Sequence, residues 1–277
     1  MGIFSLYRDF FKFLEKFSSR PGAPSKKWPD YRDCYYRPHK GGLDVFFSHF
    51  PFIDSSALRQ RVETIKAADY SWLKSLCALN PPERIIAEAY EECLKVVPCP
   101  QEPEAYLFVG FFSPDGFVMD FRGKPVIGFG LERFQDFRLL KILFAHEYAH
   151  FLLKLINREV PRQKRIPWLL ISEGLGTYFS SSVFPQQSLS DHFLFRKDRW
   201  NWCRENETNL REIYCSGRFS SDELMDFYLQ GNPKMDLPPR AAKYLGFQAV
   251  NNYLTKNPEV NLGRLLLEKN VAFSIKI

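Results

Sequence analysis

Residues 136–155 read DFRLLKILFAHEYAHFLLKL, and the meaning of this stretch governs the reading of the whole chain. Phe137, Leu140, Phe144, Phe151 and Leu155 recur at helical spacing and Asp136 is an acceptable N-cap, so a helix is predicted from Asp136 to about Leu155. Inside it, His146-Glu147-Tyr148-Ala149-His150 forms an H-E-x-x-H motif. Four residues advance a helix by about 400°, which puts His146 and His150 within about 40° on one face, roughly 6 Å apart along the axis. Two imidazoles so placed can meet at one tetrahedral zinc ion, with Glu147 beside them in reach of a metal-bound water. Chance alone gives about 0.006 such matches in a chain of this composition. The competing reading is a pair of ordinary helix-surface histidines.

Working outward, a basic link with Arg158, Arg162, Lys164 and Arg165 follows, and Pro167 suits the first turn of a second helix that runs to about Val183. Ser172-Glu173-Gly174-Leu175-Gly176 lies within that helix. Glu173 comes 23 positions after His150, far enough for the chain to return antiparallel and point this carboxylate at the same ion. A metzincin would need Gly and His at the positions held by Leu153 and Ile156, so that class is excluded. Further helices are predicted over Asp222 to Leu229 and Arg240 to Leu254.

Upstream, Ala105 to Phe112, Phe117 to Phe121 and Val126 to Phe134 have strand composition, with Pro114-Asp115-Gly116 as a turn. They predict a small mixed or antiparallel sheet beside the H-E-x-x-H helix. Were Val126 to Phe134 the free edge of that sheet, a peptide could pair with it in extended form. Ile85, Ile86, Ala89, Cys93 and Val97 form one helical stripe from Pro82 onward. Residues 1–19 repeat Ile3, Leu6, Tyr7, Phe10, Phe13, Leu14 and Phe17 at helical spacing, which fits a helix docked on its own protein better than a membrane-surface anchor. Residues 20–42, broken by Pro21, Gly22 and Pro24, read as loop. The expected class is α+β and mostly helical, in three regions: a helical 1–104, a core at 105–185 and a helical 186–277.

Of 277 residues, 45% are hydrophobic and 25% charged, which argues against disorder, collagen and coiled coil. A net charge of +6 falls well short of the basic stripe a nucleic-acid binder needs, so no nucleic-acid partner is expected. No stretch reaches the roughly 18 uninterrupted apolar residues of a membrane span. Arg8, Asp9, Lys12, Glu15 and Lys16 interrupt any secretory signal, and the six cysteines show no C-x-x-C pairing. A soluble cytoplasmic protein is the expectation, with the oligomeric state left open.

His146-Glu147-Tyr148-Ala149-His150 followed by Glu173 resembles the gluzincin metallopeptidases, and more closely a bacterial family of predicted zinc-dependent proteases with H-E-x-x-H followed by E-G-L-A. The likeness covers roughly residues 105–255 and includes Tyr244-Leu245-Gly246. It implies a zincin-like fold, one zinc ion bound by His146, His150 and Glu173, Glu147 as general base, and a peptide or protein substrate cleaved by a metal-activated water. It also implies a downstream oxyanion donor, for which Tyr244 comes first and His192 and Arg240 are alternatives; a buried core ring is the competing reading of Tyr244. Two positions depart from the pattern: Gly176 replaces the usual Ala, and Thr177 stands where thermolysin-like members carry an Asp that orients the first His. Against the peptidase stand two other expectations, a catalytically silent zincin-fold binding or regulatory module and a zinc hydrolase of non-peptide amides.

Overall fold

The computed structural model describes residues 1–19, 27–48, 55–111, 114–157, 165–194 and 197–277. The break at Pro21 to Ser25, the residues around Pro51, His49 and the basic link at 158–164 lie outside them. The chain divides into two compact units, one of Met1–Glu88 with Gln101–Leu140, the other of Ala89–Pro100 with Lys141–Ile277. It is mostly helical with one small mixed sheet, an α+β architecture.

The first unit opens with β1 (Gly2–Ser5) and α1 (Tyr7–Ser18), followed by α2 (Lys27–Tyr31), a π-helical turn at Arg32–Tyr36, α3 (Lys40–Ser48), α4 (Ser55–Thr64), α5 (Ser71–Leu79) and the start of α6 (Pro82–Val96). Then come β2 (Glu104–Phe108), β3 (Gly116–Phe121) and β4 (Lys124–Gly130). The sheet order is β1-β2-β4-β3, parallel across β1, β2 and β4 and antiparallel between β4 and β3. Ala105, Leu107, Phe108, Val126, Ile127 and Phe129 are fully buried, the continuous apolar run of strands covered on both faces. Gly128 is required where the Phe117 ring lies across β4, since a Cβ there would sit 2.5 Å from it.

Three expectations for this unit are corrected. Residues 2–5 are a strand and not the first turn of a helix, because their backbone pairs in parallel with residues 104–107. Residues 27–42 are largely helical where a loop was expected. Tyr31 and Tyr35 are buried there against Phe13 and Phe10 at ring distances of 5.5 Å, so packing supplies the helix that local composition does not. Finally, β4 is paired on both sides and closes in a 3-10 turn at Leu131–Arg133, so it is no free edge for a peptide. Phe10 and Phe13 of α1 are wholly buried, which docks that helix on its own unit.

The second unit holds α7 (Leu140–Ile156), α8 (Arg165–Val183), α9 (Leu189–His192), α10 (Lys197–Glu205), α11 (Glu207–Cys215), α12 (Ser221–Gln230), α13 (Ala241–Lys256) and α14 (Leu262–Leu267). The first of these begins four residues later than expected, because Asp136 caps a local turn by accepting from the Arg138 amide. Ile142, Phe144, Ala145, Tyr148, Ala149, Phe151 and Leu152 are fully buried on α7, so it is a central helix whose polar residues are few. Leu170, Phe193, Cys203, Leu210, Tyr228, Tyr244 and Leu245 form a core between α8 and the later helices. Helices α8 and α13 cross at backbone contact: a Cβ on Gly174 would fall 2.1 Å from the Gly246 carbonyl carbon, and one on Gly246 1.7 Å from the Leu170 oxygen. Among the described residues no helix is long and apolar enough to cross a membrane.

Candidate metal centre

The close crossing of α8 and α13 sets the depth at which polar side chains from three helices meet. His146 and His150 extend from one face of α7, and their Nε2 atoms stand 3.0 Å apart. Glu173 of α8 faces them, with Oε2 3.4 Å from His146 Nε2 and Oε1 3.5 Å from His150 Nε2. Four donors around zinc at 2.0–2.1 Å are separated by about 3.3 Å, so these spacings match the edges of a tetrahedral ligand set. Among the described residues, this trio is the one group of His, Cys, Asp or Glu side chains close enough to hold a metal ion.

Gly176 explains how the trio closes. A Cβ at that position would lie 2.7 Å from His146 Cε1 and Nδ1, so the imidazole packs directly on the α8 backbone. The departure from Ala is therefore a steric requirement of this site. Thr177, where an orienting Asp was the alternative, donates its hydroxyl to the Glu173 carbonyl at 2.9 Å. His146 Nδ1 is buried and has no hydrogen-bond partner among the described residues. The ring is seated instead by its packing on the α8 backbone at Gly176.

A fourth side chain enters that sequence reasoning missed. Lys243, in the first turn of α13 and only 6% exposed, places Nζ 2.6 Å from His146 Nε2 and 2.8 Å from Glu173 Oε2. Its signal in the sequence was a lysine embedded in Ala241-Ala242-Lys243-Tyr244-Leu245, whose other four members are at most 1% exposed. A charged residue amid such a stretch needs a buried counter-charge. The neighbouring Tyr244, expected near the ion, turns to the other side of α13. Its ring packs against Trp200 at 5.3 Å and its hydroxyl donates to Glu207 at 3.0 Å, so it is the core ring of the competing reading.

The charges organise one another. Burial works against ionising Glu173, but Lys243 and then the two imidazoles hold its carboxyl well below the usual range. His146 is pushed down to about 3, first by burial and then by the Lys243 charge, and stays neutral with Nε2 accepting from Lys243. Burial also opposes protonation of His150, yet its contact with Glu173, and the charges of Glu173 and Glu147, raise it above the ordinary imidazole value. Glu147 is itself buried, at 6% exposure. His192 sits elsewhere, with its ring nitrogens 3.1 Å from Ser180 Oγ and 3.2 Å from the Phe184 carbonyl. Arg240 takes a left-handed conformation, φ 68°, just before α13.

A family profile described as gliding motility protein GldB matches residues 130–273, just over half of the chain and the part that carries this cluster. The chain belongs to the GldB family. No curated protein and no solved structure matches it. Membership in GldB overturns the resemblance to gluzincin metallopeptidases, and with it the expectations of a zinc peptidase and of peptide-bond hydrolysis. The H-E-x-x-H spacing is present, but it reports where two imidazoles lie on a helix and says nothing about what else stands beside them.

Proposed function

We propose that this GldB-family chain serves gliding motility as a non-catalytic binding module, with a zincin-like pairing of α7 and α8 whose polar centre is tuned for holding rather than for hydrolysis. The observation that carries this reading is the Lys243 ammonium, 2.6 Å from the His146 nitrogen a catalytic metal would need. Two like charges at such close range repel one another in a partly desolvated site. Such a neighbour opposes a firmly seated metal.

The donor set still suits one zinc ion on His146, His150 and Glu173. When bound, zinc would supply a cross-link between α7 and α8 that adds to folding stability. The protein partner expected of a peptidase becomes, on this reading, one that is bound and released intact. The lipoprotein label carried by the family profile favours a membrane-associated setting over the cytoplasmic one.

Zinc-loaded protein offered casein and a panel of short peptides is expected to show no turnover above that of Glu147→Gln. Zinc-dependent cleavage that disappears in Glu147→Gln would defeat the non-catalytic reading. A zinc titration on wild type, His150→Ala and Glu173→Ala tests the donor set, with binding expected in the first alone.

A further inference from the structure

We propose that Lys243 is the resident cation of this site and competes with a divalent metal ion for His146 and Glu173, so that metal enters only when the lysine side chain is withdrawn. The inference rests on the zinc reading of the trio and deepens it by naming what controls occupancy. Lys243 Nζ contacts two of the three donors, at 2.6 and 2.8 Å, distances at which those lone pairs are already engaged. His150 Nε2 and Glu173 Oε1 complete the trio on the side away from those contacts.

The backbone positions the competing cation. Lys243 lies one turn before Gly246, and Gly246 touches the α8 backbone one residue from Glu173, so the close crossing sets where the Lys243 backbone stands beside the site. With the backbone so placed, withdrawal comes from the four-carbon stem of Lys243 itself. The ligand class follows from the donors: two imidazoles and one carboxylate suit zinc, cobalt(II) or nickel(II) and offer little to magnesium or calcium. A site with its own cation is filled without metal, so metal binding becomes a response to metal concentration and not a condition of folding.

Zinc affinity of the full chain, measured by competition with a chelating dye, should be tighter by about tenfold or more in Lys243→Met than in wild type. The melting temperature of Lys243→Met should likewise rise more on adding zinc than that of wild type, and Lys243→Arg, which keeps the charge, should show no gain. Equal affinities in wild type and Lys243→Met would overturn the competition while leaving the zinc reading intact. Absence of zinc binding in both, with the variant folded, would remove the metal site and the competition together. Should Lys243→Met fail to fold, acylation of wild-type lysines read by mass spectrometry decides. Modification of Lys243 is expected to rise several-fold at saturating zinc, and labelling unchanged by zinc would overturn the proposal.

Discussion

Each unit of the chain half-buries a carboxylate among donors drawn from distant parts of the sequence, but the two are balanced by different chemistry. In the first unit Glu83 accepts from the hydroxyls of Ser5 and Tyr7 and from the guanidinium of Arg8, whose side chain is 64% exposed. In the second, Glu173 is met by two imidazoles and by Lys243, whose side chain is only 8% exposed. Water can compensate for a lost partner at Glu83, because the balancing cation already stands in it. At Glu173 the cation is buried, so its charge must be matched within the protein. A buried ion pair of this kind adds little net stability but is costly to break by halves.

The largest effect should therefore come from Glu173→Ala, which leaves the Lys243 ammonium buried without its carboxylate. A loss of about 3–5 kcal/mol in urea denaturation is expected. Removing both charges in Glu173→Gln with Lys243→Met should cost less than the two single changes added together. Strict additivity would show that the pair is not coupled and would erase the contrast with Glu83. Gly246→Ala comes next, at about 3 kcal/mol, because its Cβ would have to fit 1.7 Å from the Leu170 oxygen and so must part α8 from α13. A small loss there would mean that the helices can separate, and that Lys243 is held less rigidly than the crossing implies.

Acid sharpens the comparison. Glu173 is held well below the ordinary carboxyl value, so its contribution is complete above about pH 4.5 and is lost as pH falls through its folded value. His146 acts in the same direction: the unfolded chain takes up its proton below about pH 6.5, whereas the folded one waits until about 3, so stability drains across that interval. His150, raised in the fold, has the opposite sign; its contribution is present below about pH 6.5 and is lost as pH rises through its folded value. Denaturation midpoints should fall steeply below pH 4.5 in wild type and less steeply in Glu173→Gln. Equal acid slopes in the two proteins would place the titrating charge elsewhere.

What the sequence disclosed follows the range of the interactions involved. His146, His150 and the helix that carries them were legible because four residues of separation fix their geometry without reference to anything else. Glu173 was legible through the glycines around it, though not the reason for Gly176, which is the ring of a residue 30 positions earlier. Strand β1 was hidden, because Ile3 and Leu6 extend the helical stripe of α1 and only pairing with residue 104 onward makes a strand of them. The helical turns at 27–36 were hidden for the same reason, being stabilised by buried tyrosines rather than by propensity. Lys243 was the most consequential omission. Its partners lie 97 and 70 positions away, a range over which no helical or strand periodicity fixes a contact.

The smallest predicted effect belongs to Glu83, and it tests whether the exposure of the balancing cation separates two carboxylates that are themselves similarly exposed. Glu83 retains 21% side-chain exposure, and burial is outweighed by Ser5, Tyr7 and Arg8, which hold its carboxyl below the usual value. Glu83→Gln keeps the volume and one acceptor oxygen for the two hydroxyls while deleting the charge, so a loss of about 1 kcal/mol is expected. The exposed Arg8 should regain solvation and add nothing to that figure, since exposed ion pairs contribute little. If Glu83→Gln proved as damaging as Glu173→Gln, the accessibility of the balancing cation would not be what distinguishes them. A cost near 1 kcal/mol, set against a several-fold larger one at Glu173, would instead locate the difference in Lys243, the cation that water does not reach.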